Sequence, residues 1–127
     1  MSKYYIAGKY TAKERLRLNR DTLERLGHRC TSGWLDHNKV EAEVSDEELL
    51  EEANKDLQDV LASDWLLIDT IDESVTGGRE VEMGFAFGYY LPVVVIGPIR
   101  NIFHRRAHEH YASWDEFFES HHATRAS

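Results

Sequence analysis

Two short apolar runs constrain the fold of this chain most. Trp65-Leu-Leu-Ile68 and Val93-Val-Val-Ile96 offer no polar side chain to water, so each strand must be covered on both faces. Strands of that kind belong to parallel sheets, and parallel neighbours need crossovers long enough to hold a helix. The rest of the chain supplies them. Residues 4–7 (Tyr-Tyr-Ile-Ala) read as a short buried strand ending at Gly8, and residues 29–34 as a second one ending at Trp34. Between them, Thr11 to Leu26 has a helical pattern: Leu16, Leu18, Leu23 and Leu26 are apolar, Thr11 and Glu14 form a capping box, and Gly27 is the stop. A polar loop to about Val44 leads into a second helix, Ser45 to Ala62. Ser45 and Glu48 cap it, and Leu49, Leu50, Ala53, Leu57, Val60 and Leu61 form the expected buried stripe. A third helix is expected from about Arg79 to Tyr89, and a short last one from Trp114 to about His121, capped by Ser113 with Glu116. A His- and Arg-rich loop follows Pro98, and residues 123–127 read as a frayed tail.

The alternation predicts one domain over residues 1–127. Its class is α/β: a flavodoxin- or Rossmann-like doubly wound sheet, mostly parallel, of four to five strands with helices on both faces. A chain of 127 residues is long enough for one real core. Ligands in such sheets bind beyond the carboxyl ends of the strands, which selects the loops after Ala7, Trp34, Ile68 and Ile96.

Composition removes several classes of partner. The formal net charge of −8 repels a nucleic-acid polymer. The longest apolar stretch, Leu91 to Ile96, is too short to span a membrane, and the first residues carry no signal pattern, so a cytoplasmic location is expected. Cys30 is the lone cysteine and reads as a small core residue.

The stretch from Asp72 to Gly88 is richest in possible chemistry. Gly77 and Gly78 let backbone N–H groups approach a ligand, and a helix N-terminus beyond them favours anions. Spacing puts Val81, Phe85 and Gly88 toward the core, with Gly84 and Gly88 allowing close helix packing. Glu82 then borders the core face, while Glu80 points elsewhere and complements the helix dipole. Asp56 shares a face with Glu52 and Leu49; alone it reads as part of a solvated acidic face. Tyr5 is either core with a satisfied hydroxyl or the partner of a carboxylate. Trp34 is a lid over the core edge or a surface on which a nucleobase stacks. Arg15, Arg17, Arg79 and Thr76 are candidate phosphate contacts, Arg15 and Arg17 otherwise reading as solvated. His104, His108 and His110 can be drawn as a metal site, but only Glu109 backs them, so no metal and no cofactor is expected.

Taken in order, several pieces match one family. They are Tyr5-Ile-Ala-Gly8, Gly27-His28, the segment Asp56 to Asp64, Gly78-Arg-Glu-Val-Glu-Met-Gly-Phe-Ala86, and Pro92 to Pro98 followed by Asn101 and His104. Together they resemble the nucleoside 2-deoxyribosyltransferases and the related deoxynucleoside 5′-monophosphate N-glycosidases, from Tyr5 to about His104. The resemblance implies that Glu82 attacks the anomeric carbon of a 2-deoxyribonucleoside and forms a covalent deoxyribosyl-enzyme. It implies that Asp56 contacts the base and handles its proton, and that Tyr5 orients Glu82. This agrees with retaining glycosidase chemistry, in which one carboxylate attacks and another group moves protons. Gly8, Arg15, Trp34, Thr76, Gly77, Gly78 and Asn101 are the expected substrate contacts, and the resemblance implies a homo-oligomer in which Asn101 is donated by a neighbouring copy. The expected partners are a nucleoside or nucleotide and a nucleobase.

One position departs from the pattern. Six residues before the nucleophile the transferases carry Asp and the glycosidases Ser, whereas this chain has Thr76. A threonine can hydrogen-bond a phosphate or a base but cannot act as an acid, so transfer to a second base and hydrolysis both stay open. Two other enzyme or cofactor readings fit less well. Gly77-Gly78-Arg79-Glu80-Val81-Glu82 is too short for the Gly-Gly-x-Gly-Thr-x-x-Glu pattern of the phosphoribohydrolases, and the first loop lacks the hydroxyl-rich cradle of an FMN binder. A non-catalytic nucleotide-binding module is the alternative of another class.

Overall fold

The computed structural model describes residues 1–37 and 44–122. Most of the loop expected to reach Val44, and the tail expected at 123–127, lie outside the described residues. Five strands form one sheet in the order β2-β1-β3-β4-β5: β1 Lys3–Ala7, β2 Arg29–Cys30, β3 Trp65–Asp69, β4 Val93–Ile96 and β5 Glu109–Tyr111. Every pairing is parallel. Among the described residues four α-helices accompany them: α1 Lys13–Arg25, α2 Asp46–Leu61, α3 Gly78–Gly88 and α4 Trp114–Phe117. Tyr4 meets Phe117 of α4 edge-on, while its neighbour Tyr5 reaches Glu82 of α3, so consecutive β1 side chains serve the two helical layers. The doubly wound α/β class is therefore the observed one.

The centre of the sheet follows directly from the two apolar runs. Leu66, Leu67 and Ile68 of β3 and all four residues of β4 are fully buried, in register from Leu66↔Val93 to Asp69↔Ile96. Each such side chain contributes roughly 1.5–3 kcal/mol through burial.

The edges differ from expectation. The second strand, expected over 29–34, ends at Cys30, and Gly33–Asp36 is a 3-10 turn. Side chains complete the pairing that β2 leaves off: Ser32 Oγ accepts from Ile6 N at 3.2 Å, and Trp34 Nε1 donates to Ile6 O at 2.8 Å. At the other edge β5 forms where a loop was expected, pairing Val94–Ile96 of β4 with Glu109–Tyr111. The final helix is α-helical only to Phe117 and continues as a π-helical turn over Phe118–His122, with Ser113 Oγ accepting from Glu116 N as expected.

Helix starts and faces need similar correction. A 3-10 turn at Tyr10–Ala12 precedes α1, so Thr11 forms no capping box, although Gly27 at φ +91° closes the helix as expected. Leu16 and Leu23, two turns apart, are buried, whereas Leu18 and Leu26 face water. In α2, Ser45 Oγ accepts from Glu48 N, but Leu50, Ala53 and Leu61 are exposed while Asp59 and Val60 are buried. In α3 the buried residues are Arg79, Met83 and Ala86; of the three expected to face the core, Phe85 packs against it half-buried, whereas Val81 and Gly88 are exposed. Among the described residues no atom of another element lies within 4 Å of a Cβ built on Gly84 or Gly88, so neither glycine marks a close helix contact there. Among the described residues no helix is long and apolar enough to cross a membrane.

Gly97, just after β4, sits where the backbone is closely hemmed in. Its φ is +123°, and an added Cβ would lie 2.6 Å from Thr70 Oγ1 and 2.8 Å from Ile71 N. Backbone strain and overpacking then act together. Gly97→Ala is expected to destabilise the protein by about 3 kcal/mol, read as a lowered urea midpoint at unchanged slope.

Candidate active site

A cleft of about 580 Å³ opens at the carboxyl edge of the sheet, between the β1–α1 turn, the 3-10 turn at Trp34, α2 and the start of α3. Its lining includes Gly8, Trp34, Asp56, Thr76, Gly78 and Glu82. Gly8 closes the turn after β1, where a Cβ would meet Leu16 Cδ1 at 2.6 Å. Tyr10, Trp34 and His37 add flat surfaces to the same wall. Trp34 cannot swing freely, because its indole N–H is held by Ile6 O.

Three of the lining or neighbouring groups are coupled. The Tyr5 hydroxyl donates to Glu82 Oε2, and Glu82 Oε1 makes no hydrogen bond among the described residues. Burial, followed by the negative charges of Glu82 and Asp56, pushes the Tyr5 hydroxyl far above its usual range, so Tyr5 stays a donor. Burial also pushes the Glu82 carboxyl up to about 8; the Asp56 charge adds to this and the Tyr5 hydrogen bond opposes it. Asp56 is pushed up to about 6, by burial first and then by Asp59, with His37 and Lys55 acting the other way. Two carboxylates that repel each other hold one proton between them near neutrality.

The polar residues on the inner faces of α2 and α3 account for this arrangement. Each helix turns polar side chains inward where it borders the cleft: Glu52 and Asp56 from α2, Arg79 and Glu82 from α3. Periodicity of apolar residues therefore missed Arg79 as an inward residue. A lone arginine directly after two glycines was the available signal.

Other expected contacts lie elsewhere. Arg15 binds Asp69 with both terminal nitrogens, at 2.8 and 3.1 Å, and also meets Asp72 at 3.1 Å. Asn101 Oδ1 caps the 3-10 turn Ile102–Arg106, accepting from Phe103 N and His104 N. Neither lines the cleft. Gly77, at φ +81°, is the left-handed residue that starts α3 and presents Gly78 to the cleft. Arg17 Nε donates to Leu35 O. The three histidines have separate partners: His104 Nε2 meets Glu80 Oε1 at 2.7 Å, His108 Nδ1 accepts from Val93 N, and His110 Nε2 meets Gly97 O. Glu80 thus holds a buried histidine as well as sitting in the first turn of α3. Cys30 Sγ lies 2.8 Å from Ser32 Oγ, its thiol pushed up by burial. Asp69 escaped notice in the sequence; it receives Arg15, Trp114 Nε1 and Ile71 N at the end of β3.

No protein-family model matches the chain, and no curated protein matches it. Solved structures do. One is a 2-deoxyribosyltransferase of Bacillus psychrosaccharolyticus, with a TM-score of 0.76 and 23% identity over 97% of this chain and 95% of that one. A conserved protein of Enterococcus faecalis follows at a TM-score of 0.68 and 18% identity, covering 98% and 99%. A Clostridium botulinum CMP N-glycosidase aligns at a TM-score of 0.63 and 12% identity, covering 95% and 98%. Over nearly its whole length, then, this chain has the fold shared by that 2-deoxyribosyltransferase and that CMP N-glycosidase.

Proposed function

We propose that the protein cleaves the N-glycosidic bond of a 2-deoxyribonucleoside or its 5′-monophosphate and passes the deoxyribosyl group to another nucleobase. The observation that carries this reading is the Tyr5 hydroxyl donating to Glu82 in a cleft that Asp56 also lines. With Oε2 held by Tyr5, Oε1 of an ionised Glu82 attacks C1′. The C1′–N bond breaks, its electron pair leaves with the base, and Asp56 supplies the proton the base needs. A second base then attacks C1′, Asp56 takes up the proton it releases, and Glu82 leaves as a carboxylate. An ionised carboxylate below the ring also stabilises the oxocarbenium-like charge of both transition states. The neighbouring folds support the reading, since two of those structures are a 2-deoxyribosyltransferase and an N-glycosidase.

Between about 6 and 8 the single proton sits mainly on Glu82, the group with the higher value, and the reaction draws on the minor form in which Asp56 holds the proton and Glu82 is ionised. Below about 6 both groups are protonated and there is no nucleophile; above about 8 both are ionised and there is no acid for the leaving base. The expected kcat/KM profile is a bell with limbs near those two values. A rate that keeps rising through pH 9 would contradict the shared proton.

The direct test is a chromatographic assay of purified protein with deoxynucleosides and their 5′-monophosphates, each with and without a second free base. A new nucleoside that appears only with the added base is the expected result. Release of base without exchange would reassign the protein as an N-glycosidase. Intact substrates throughout would leave a nucleotide-binding module.

A further inference from the structure

Asp59 is a buried acid that the reaction steps leave unused. It lies on α2 one turn after Asp56, so the two carboxylates are neighbours on one helix face, with Cβ atoms roughly 5–6 Å apart. The residue is 8% exposed. Its Oδ1 accepts from Lys55 Nζ at 2.7 Å and its Oδ2 from Gly33 N at 3.3 Å. A Cβ on Gly33 would come to 3.2 Å from that same Oδ2, so the turn that carries Trp34 is built close against this carboxylate. The Asp59 carbonyl accepts from Thr31 Oγ1 at 2.8 Å. The acid is therefore fixed both by its own helix and by the segment that leads from β2 to Trp34.

Hydrogen bonding does not account for the charge. An amide oxygen would accept from Gly33 N equally well. The cation beside it, Lys55, has a side chain 61% exposed, so water screens the pair. A buried acid next to a second acid is costly, and the cost falls on Asp56, whose ionised form it disfavours. The groups that face Asp56 are Glu52, Lys55 and Asp59 of α2, His37 at the end of the Trp34 turn, Glu82 of α3 and Tyr5 of β1. After burial itself, Asp59 does most to hold a proton on Asp56. Glu82 is set instead by burial, the Tyr5 hydrogen bond and Asp56. Asp59 and Tyr5 thus work in one sense from opposite ends of the pair. One favours the proton on Asp56, and the other favours the charge on Glu82.

We propose that Asp59 is a positioning residue for the glycosidic reaction: its fixed negative charge, one helical turn from Asp56, enlarges the minor form in which Asp56 carries the shared proton and Glu82 is free to attack. This rests on the glycosidic reading of the cleft. Asp59 touches neither sugar nor base and exchanges no proton itself; it acts through Asp56.

Asp59→Asn keeps an acceptor for Gly33 N and removes the charge. In a carboxyl-carbon NMR titration of the free protein, the step near 6 is expected to move down by about half to one pH unit, while the step near 8 stays. The share of the reactive form then falls by the same factor. At pH 7 kcat/KM should drop roughly three- to tenfold, and at pH 4.5, below both steps, it should match the parent. A merely structural Asp59 would lower the rate alike at both pH values and leave the acid limb in place; that result overturns the proposal, as does an unchanged profile. Lys55→Gln is a surface change that removes the cation opposing Asp59, so it should move the acid limb the other way and raise the rate at pH 7 by about twofold. If Asp59→Asn fails to fold, this variant decides, and a limb that stays or moves down overturns the proposal. The two readings fail separately. An active parent whose Asp56 titration ignores Asp59→Asn discards the role of Asp59 alone. A parent that cleaves no nucleoside or nucleotide discards the glycosidic reading, and a displaced titration step would then show the coupling of the two acids without the reaction.

Discussion

Replacing Glu82 by Gln is expected to lower the rate of base release by about 10³-fold or more without unfolding the protein. The amide has the volume of the acid, and its oxygen can still accept from the Tyr5 hydroxyl, but it cannot attack C1′. Stability should move in the opposite direction. Burial raises the Glu82 carboxyl from 4.5 to about 8, so the folded state binds a proton more tightly than the unfolded chain. The resulting stabilisation is fully present below about 4.5 and is lost as pH rises toward 8. Glu82→Gln removes the group and with it that slope, so the variant should melt above the parent at pH 9 and the difference should shrink at pH 5. Thermal unfolding at both pH values beside the chromatographic assay checks the pair of expectations. The control is Glu80→Gln, whose amide oxygen still accepts from His104 and whose activity should stay within a few-fold of the parent. Near-normal base release from the Glu82→Gln protein would remove Glu82 as nucleophile.

The parts of the fold legible in the sequence were those where burial alone decides. The runs ending at Ile68 and Ile96 could be nothing but covered strands, and Ser45 and Ser113 cap the helices they were expected to cap. Reading failed where a different physical demand prevailed. β5 is a three-residue edge strand with Glu109 and His110 in it, so no apolar pattern announced it. β2 stops early because Ser32 and Trp34 satisfy Ile6 through their side chains, a tertiary solution that local pattern does not encode. The faces of α2 and α3 were read only in part, with Val60 and Phe85 against the core as expected, and the rest departs for one shared reason. A helix that borders a polar cleft turns acids and arginine inward and leaves leucine or valine outside, as Leu50 and Val81 are. The resemblance placed Tyr5, Asp56 and Glu82 at one site where periodicity could not. It did not foresee that Arg15 would be committed to Asp69.

That commitment underlies the largest expected loss of stability. Asp69→Ala is expected to destabilise the protein by about 3–5 kcal/mol, a large fraction of the roughly 5–15 kcal/mol that holds a domain of this size. Asp69 is the last residue of β3 and is 1% exposed. Its Oδ2 accepts from Trp114 Nε1 at 2.7 Å and Arg15 Nη1 at 2.8 Å, and its Oδ1 from Arg15 Nη2 and Ile71 N at 3.1 Å each. These four hydrogen bonds join α1, β3, α4 and the loop toward α3. Removing the carboxylate strands them unequally. Arg15 is 36% exposed and keeps Asp72 at 3.1 Å, so it can be re-solvated. The Trp114 indole is buried and loses its acceptor, which leaves a donor unpaired in an apolar surround. Trp114→Phe, which removes donor and need together, should cost less, about 1–2 kcal/mol. Asp69→Asn should fall between, because one of its terminal atoms becomes a donor facing donors. Denaturant unfolding of the three variants gives the order directly. If Asp69→Ala lay within 1 kcal/mol of the parent, α4 would be held by ring packing alone, through Phe117 against Tyr4 and Tyr111 at 6.1 and 5.7 Å. The expected order instead makes Asp69 the residue that fixes the loop leading into α3, the helix of Arg79 and Glu82, to the end of the sheet.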